Sequence, residues 1–356
     1  MYNDKHNLPD TAALCTGILH RALKIQAREA ADDSREDDGC EVLYGQAGLL
    51  YALLRLRGSI PRGDGRQSEI GASVAQLVDD ASISKIVQSI ITRARFGSSV
   101  YASNASKSST IPSLMWSWHY KRYLGAGHGV AGILHILLLC PVDIIRPYIS
   151  DILQTVEWLT TMQGDDGNWA SSLKLQYKVP YMSITSTCLA RWCHGAPGML
   201  ILFTTLVRRA HLYPDIFPLS ASAAIVYERG LLRKGVGLCH GVAGSVYALL
   251  AACDVMGIWK RNEHSKVYFL SAIHLAHLAT SYTQFTSSGE MTTPDKPWSL
   301  YGGVAGMCCA LAETYDRLGT AGRNLDQLEF SWCRFRSGMP GFDDIDTSVK
   351  FVKYNQ

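Results

Sequence analysis

Residues 237–250 read GLCHGVAGSVYALL: a glycine-bounded turn that carries a cysteine and a histidine and runs straight into an apolar stretch. The same arrangement recurs four more times. The copies are Tyr44-Gly-Gln-Ala-Gly48, His128-Gly-Val-Ala-Gly132, His194-Gly-Ala-Pro-Gly198, His240-Gly-Val-Ala-Gly244 and Gly302-Gly-Val-Ala-Gly306. Each leads into an apolar run: LLYALL, ILHILLLC, MLILFTTLV, SVYALLAAC and MCCALAETY. The closing glycines are separated by steps of 84, 66, 46 and 62 residues. A unit that repeats at this scale is one supersecondary element that cannot bury its apolar face alone. The 46-residue step fits two helices and two short connections. The 84-residue step has room for a hairpin without the glycines.

The segments between the motifs carry helical periodicity. Ile145, Ile149, Ile152, Val156 and Leu159 fall on one face of a helix within 144–162. Leu270, Ile273, His277 and Leu278 suggest a second face within 267–282. Helices are also expected over 220–232 and, more weakly, over 82–95. Loops are expected over 32–39, 58–69, 97–112, 164–172 and 285–297, where Gly, Ser, Pro and Asp gather. Strand-like alternation is scarce. The pattern is an all-α chain of alternating inner and outer helices, closed into one ring with its glycine turns at one end. No loop separates two domains, so residues 1–356 are expected to form one domain.

Composition limits the function. The chain has 356 residues, 47% hydrophobic and 18% charged, enough for a large core. Thirty-four Lys and Arg against 31 Asp and Glu leave a net charge of +3, and no basic stripe marks a nucleic-acid surface. Residues 124–142 lack Lys, Arg, Asp and Glu, but four glycines crowd one end, so a buried helix is expected rather than a membrane span. The ten cysteines are irregularly spaced and MYNDKHNLPD is no signal peptide, so a reducing, cytoplasmic setting is expected.

Directly before the histidine position the five copies carry Leu43, Gly127, Cys193, Cys239 and Tyr301. Cys-His thus occurs at matching points of two successive hairpins, and His128 joins from a third. If the turns converge, two thiols and three imidazoles meet, a donor set that suits zinc. The residues alone leave open whether His194 or His240 is the metal ligand. Cys15, Cys40, Cys140, Cys188, Cys253, Cys308, Cys309 and Cys333 lack this repetition and are expected to be small buried apolar side chains. The turns at Tyr44 and Gly302 are expected to serve packing alone.

RWCHGAPG (191–198), GLCHGVAG (237–244), LGAGHGVAG (124–132), DGNW (166–169) and the later MPGF (339–342) resemble the LanC-like proteins, eukaryotic relatives of bacterial lanthionine cyclases. The similarity runs from about Tyr44 to about Phe342, leaving the first 40 residues poorly matched. It implies an α/α toroid, a double ring of about six to seven helical hairpins. It also implies one zinc ion per chain on Cys193, Cys239 and His240, with an open position for a thiol. The implied thiol is that of glutathione. The implied reaction is its addition to dehydroalanine or dehydrobutyrine in proteins or peptides, a transferase reaction that forms a thioether. His128 and His194 are then candidates for proton transfer, because imidazole titrates near neutral pH. Lys234 matches a family lysine near the glutathione site, and Arg191 and Arg336 are further anion-binding candidates. Bacterial cyclases have an arginine where this chain has Leu189, and commonly a tyrosine where it has His194. Both differences point to the eukaryotic branch.

Two rival readings stand beside this one. A non-catalytic protein that binds zinc and glutathione would need the same donors. Another α/α toroid, a prenyltransferase subunit or a glycosidase, would not need the doubled Cys-His-Gly. A glycosidase would need paired carboxylates. The adjacent pairs Asp165-Asp166 and Asp343-Asp344 are instead expected to cap turns.

Overall fold

The computed structural model describes residues 8–30, 39–60, 69–105, 109–173, 190–210, 217–321 and 338–345. In chain order the helices are α1 (Leu8–Ala30), α2 (Gln46–Ser59), α3 (Glu69–Leu77), α4 (Asp80–Asn104), α5 (Val130–Leu139), α6 (Val142–Ile145), α7 (Ile149–Thr161), α8 (Ala196–Ala210), α9 (Leu219–Arg229), α10 (Val242–Ile258), α11 (Asn262–Ala279), α12 (Tyr282–Ser287) and α13 (Val304–Ala321). A two-stranded antiparallel ribbon joins β1 (Arg122–Tyr123) to β2 (Ser172–Leu173).

The fold is an α/α toroid. Each glycine turn launches one inner helix: α2, α5, α8, α10 and α13. These pack in sequence, α2 on α5, α5 on α8, α8 on α10 and α10 on α13. Every residue of α5 is buried, and so is α10 from Val242 to Gly257. A helix that is apolar all round belongs inside. Outer helices cover them: α4 lies on α2, α9 on α8 and α10, and α11 on α10 and α13. A buried ion pair joins two inner helices, where Arg317 of α13 donates to Asp254 of α10 at 2.6 and 3.2 Å. Among the described residues no helix is long and apolar enough to cross a membrane.

The glycines are set by space more than by dihedral angle. Gly45, Gly129 and Gly241 precede their helices in ordinary extended backbone. The closing glycine of every motif instead presses on the carbonyl six residues earlier. Gly48 meets Val42, Gly132 meets Ala126, Gly198 meets Trp192, Gly244 meets Leu238 and Gly306 meets Leu300, so a methyl group at any of them would overlap backbone.

The turns gather at one end through a backbone girdle. The Val42 N–H donates to Gly127 O (3.3 Å) and Gly127 N–H to Cys193 O (3.3 Å). Cys193 N–H donates to Cys239 O (3.2 Å) and Cys239 N–H to Tyr301 O (2.8 Å). Residues 338–345 fill the middle of the ring. Phe342 is fully buried, stacked on His135 at 4.1 Å and edge-on to Trp192 at 4.9 Å.

The 84-residue step holds α3 and α4, a helical pair without the glycine motif, as its length left room for. Several local expectations change. Helix α4 runs on to Asn104, through a segment expected to be loop, because Gly97 tucks against the Met115 carbonyl. On α11 the buried face is Ser265, Tyr268, Phe269, Ala272, Leu275, Ala276 and Ala279, while Leu270 faces out. Large apolar residues on the solvent side had disguised the small-residue face that packs. The pair Asp343-Asp344 makes long-range contacts. Asp343 is buried beside Arg208 and His135, and Asp344 accepts from the Tyr51 hydroxyl.

Candidate metal and thiol centre

The girdle places Cys193 and Cys239 side by side, joined through backbone at 3.2 Å. Each stands in a turn three residues before an inner helix begins, α8 at Ala196 and α10 at Val242. The Asn168 side-chain oxygen accepts from Ala196 N–H at 2.8 Å and fixes the first of these helix starts. This gives the DGNW segment its role: it is a brace for the turn that carries Cys193. The two sulfurs and a ring nitrogen of His240 lie within 4.8 Å of one another, a group that could hold a metal ion. Two thiols and one imidazole are the donor types zinc favours, so the residues fit the ion the sequence implies. His194 does not belong to this group: the geometry sets His240, not His194, beside the two thiols.

The paired thiols are pushed apart in acidity. The Cys193 thiol is lowered, chiefly by the hydrogen bond from Cys239, with His240 and His194 helping against burial. Cys239 is pushed up because it is the partner that keeps its proton, with burial and the charge on Cys193 adding to the effect. Arg191 and Lys234 pull Cys239 the other way, which places both expected cations within electrostatic reach of the centre. Arg191 is half-buried with an Nε that makes no hydrogen bond among the described residues, while Lys234 is exposed.

Gly127 explains why the third copy has no cysteine. A Cβ there would come within 2.9 Å of the Cys193 Cβ. The empty side-chain position makes room for the neighbouring thiol, and His128 remains as that turn's contribution.

His128 is the best-held ring in the site. Its Nδ1 lies 2.7 Å from Glu41 Oε2, and Glu41 is only 1% exposed. The same carboxylate accepts backbone N–H groups of Leu43 and Tyr44, so the first turn holds it rigidly. Tyr44 and Trp118 lie nearly parallel to the His128 ring, each with centroids 6.3 Å away. Tyr123 bridges to His194, at 5.9 Å from His128 and 5.5 Å from His194, and the two imidazoles are 6.2 Å apart. Burial lowers the pKa of His194, partly opposed by the Cys193 charge, and its Nδ1 makes no hydrogen bond among the described residues.

The first turn therefore does more than pack. Tyr44 is 80% exposed beside His128, and Glu41 orients the ring; sequence reading missed both. The available signal was the acid of GCEVLYG, which precedes the motif's own glycine by four residues. Of the other cysteines, Cys40, Cys140 and Cys253 are buried as expected. Cys15 and Cys308 are exposed and Cys309 is half-buried, because they lie off the packed faces of α1 and α13. Cys188, Leu189, Cys333 and Arg336 lie outside the described residues.

The chain matches the family described as lanthionine synthetase C-like protein over residues 5–318. It is 26% identical over 296 residues to a Danio rerio protein named glutathione S-transferase LANCL1, covering 83% of this chain and 63% of that one. It is 30% identical over 274 residues to LanC-like protein GCL1 of Arabidopsis thaliana, covering 76% of this chain and 53% of that one. The alignments thus span between about half and two-thirds of the length of these curated relatives.

Proposed function

The chain belongs to the lanthionine synthetase C-like family, and from that premise we propose that it is a zinc-dependent, cytoplasmic enzyme. In this reading it adds the thiol of glutathione to dehydroalanine or dehydrobutyrine residues of proteins or peptides. The observation that carries the reading is the convergence of Cys193, Cys239 and His240 donors within 4.8 Å, beside a carboxylate-oriented histidine. Zinc held by those three residues, one per chain, would supply a thiol acidified enough to act as a thiolate near neutral pH.

The chain's own groups do the rest. Addition forms a C–S bond at the β-carbon and leaves the α-carbon to take up a proton. His128 carries that proton: Glu41 accepts its Nδ1–H, which leaves Nε2 to take the proton the thiol loses and pass it to the α-carbon as the double bond is broken. His194, 6.2 Å away, is the second candidate proton carrier. Arg191 and Lys234 supply positive charge beside Cys239 for the carboxylates of glutathione. Tyr44, Trp118 and Tyr123 flank the His128 ring and leave it open on one side for a substrate, with 23% of its side chain exposed.

The test is mass spectrometry of a dehydroalanine peptide incubated with glutathione and the purified, zinc-loaded chain. A peptide gaining one glutathione, at a rate that depends on enzyme, supports the reading. Binding of glutathione and peptide with no thioether above the uncatalysed rate overturns it in favour of a binding or signalling protein.

A further inference from the structure

Residues 118–123 carry a cation that the chemistry above does not use. Trp118 and Lys121 exchange two backbone hydrogen bonds, at 2.9 and 3.0 Å, and close a two-residue hairpin turn on His119 and Tyr120. Both turn residues are in the left-handed region, with φ of 48° and 58°. That turn suits the twist of a hairpin but favours Asn and Gly, so two ring-bearing residues there hold strain. What the strain fixes is register. Directly paired residues of an antiparallel pair present their side chains to the same face, and so do residues two apart along a strand.

Trp118, Lys121 and Tyr123 therefore share one face. Arg122 takes the other: it is 1% exposed, with its guanidinium over the Tyr101 ring at 5.6 Å. The shared face is the one turned to the imidazoles, since Trp118 lies 6.3 Å from His128 and Tyr123 lies 5.5 Å from His194. Lys121 is exposed on that face and makes no ion pair among the described residues.

We propose that this face is the subsite for the electrophilic peptide: Trp118 and Tyr123 receive the planar unsaturated residue, and Lys121 pairs with an acidic residue beside it. The inference rests on the reading of the chain as a thiol-addition enzyme. Position divides the cations between the two substrates. Arg191 lies two residues before Cys193 and Lys234 five before Cys239, at the thiol end. Lys121 shares its face with the rings around His128, where the α-carbon must come to be protonated. A dehydroamino acid is flat because its double bond is conjugated with the adjoining amides, so it presents a face to indole and phenol. An acidic neighbour in the peptide complements Lys121 and is favoured at low salt.

The experiment uses three labelled pentapeptides with a central dehydroalanine, flanked by Glu, Gln or Lys. Their binding to the zinc-loaded chain is read by fluorescence anisotropy without added thiol. The unaltered protein should prefer Glu over Gln over Lys, the extremes differing about three- to tenfold, as one exposed ion pair allows. Lys121→Glu should reverse that order while zinc content and half-saturating glutathione stay unchanged. Lys121→Met should erase the order and keep the fold, measured by circular dichroism. An order that survives Lys121→Glu, or a loss of glutathione affinity instead of peptide preference, overturns the subsite. If the order reverses but no peptide ever gains glutathione, the subsite stands and the thiol-addition reading falls. If all three peptides bind alike and all gain glutathione, the enzyme stands and the subsite falls.

Discussion

At the level of single residues, the account depends on a division between groups that hold the metal and groups that move protons. His128 sits in the histidine slot of a turn whose cysteine position is Gly127, and its Nδ1 is committed to Glu41. His128→Asn should keep zinc and glutathione binding yet slow thioether formation by about 10²–10⁴-fold, the usual worth of general acid–base catalysis. Glu41→Gln should shift the pH profile of turnover, which a merely structural carboxylate would leave in place. Loss of zinc in His128→Asn would mean that a ligand has been misassigned. Lys234→Ala should raise the half-saturating glutathione concentration and leave maximal turnover largely intact, because a carboxylate contact is similar in ground and transition states. Steady-state kinetics separate that from the opposite pattern. Cys193, Cys239 and the histidines His128, His194 and His240 could be singled out in the sequence because a repeat puts equivalent residues at equivalent points, but the repeat alone left open which histidine joins the thiols. Glu41 was not, because no other copy has an acid there, and its role exists only once the first and second turns meet.

At the level of elements, the glycine motifs could be read as helix starts because each precedes an apolar run, and the helices that follow them confirm it. Their physical reason was only half visible. In sequence a glycine suggests a permissive dihedral angle, whereas the closing glycines here are demanded by contact with a carbonyl six residues back. Gly244→Ala should therefore destabilise the fold by about 1–3 kcal/mol, the range for overpacking. Urea unfolding of the purified variant measures this directly. A variant as stable as the parent would show that the turn relaxes around the added methyl. Outer helix α7 followed its periodicity, with Ile149, Ile152, Val156 and Leu159 buried as read. Helix α11 did not, because its packed face is built partly from Ala and Ser, which carry little hydrophobic signal.

At the level of the whole molecule, the ring expected from the repeat is closed by a segment whose importance the sequence showed only as MPGF. Phe342 enters the centre against His135, whose Nε2 is 3.1 Å from the Phe342 carbonyl. Burial lowers the His135 pKa to about 4, partly offset by Asp343 and the Phe342 carbonyl. The folded chain thus binds fewer protons at His135 than the unfolded chain between about pH 6.5 and 4. This stabilisation is full above pH 6.5 and is lost as pH falls to about 4, by roughly 3 kcal/mol. His135→Gln should flatten the stability-versus-pH curve across that window, and unchanged curvature would place the acid sensitivity elsewhere. The turns joined by the backbone girdle form the candidate metal centre, so its ligands can be tested without a substrate. The decisive measurement is elemental analysis of purified chains, comparing the parent with Cys239→Ala, His240→Ala and His194→Ala. One zinc per chain should be found in the parent and in His194→Ala, and most of it should be lost from the other two. Full zinc in Cys239→Ala, or its loss from His194→Ala alone, would contradict the account.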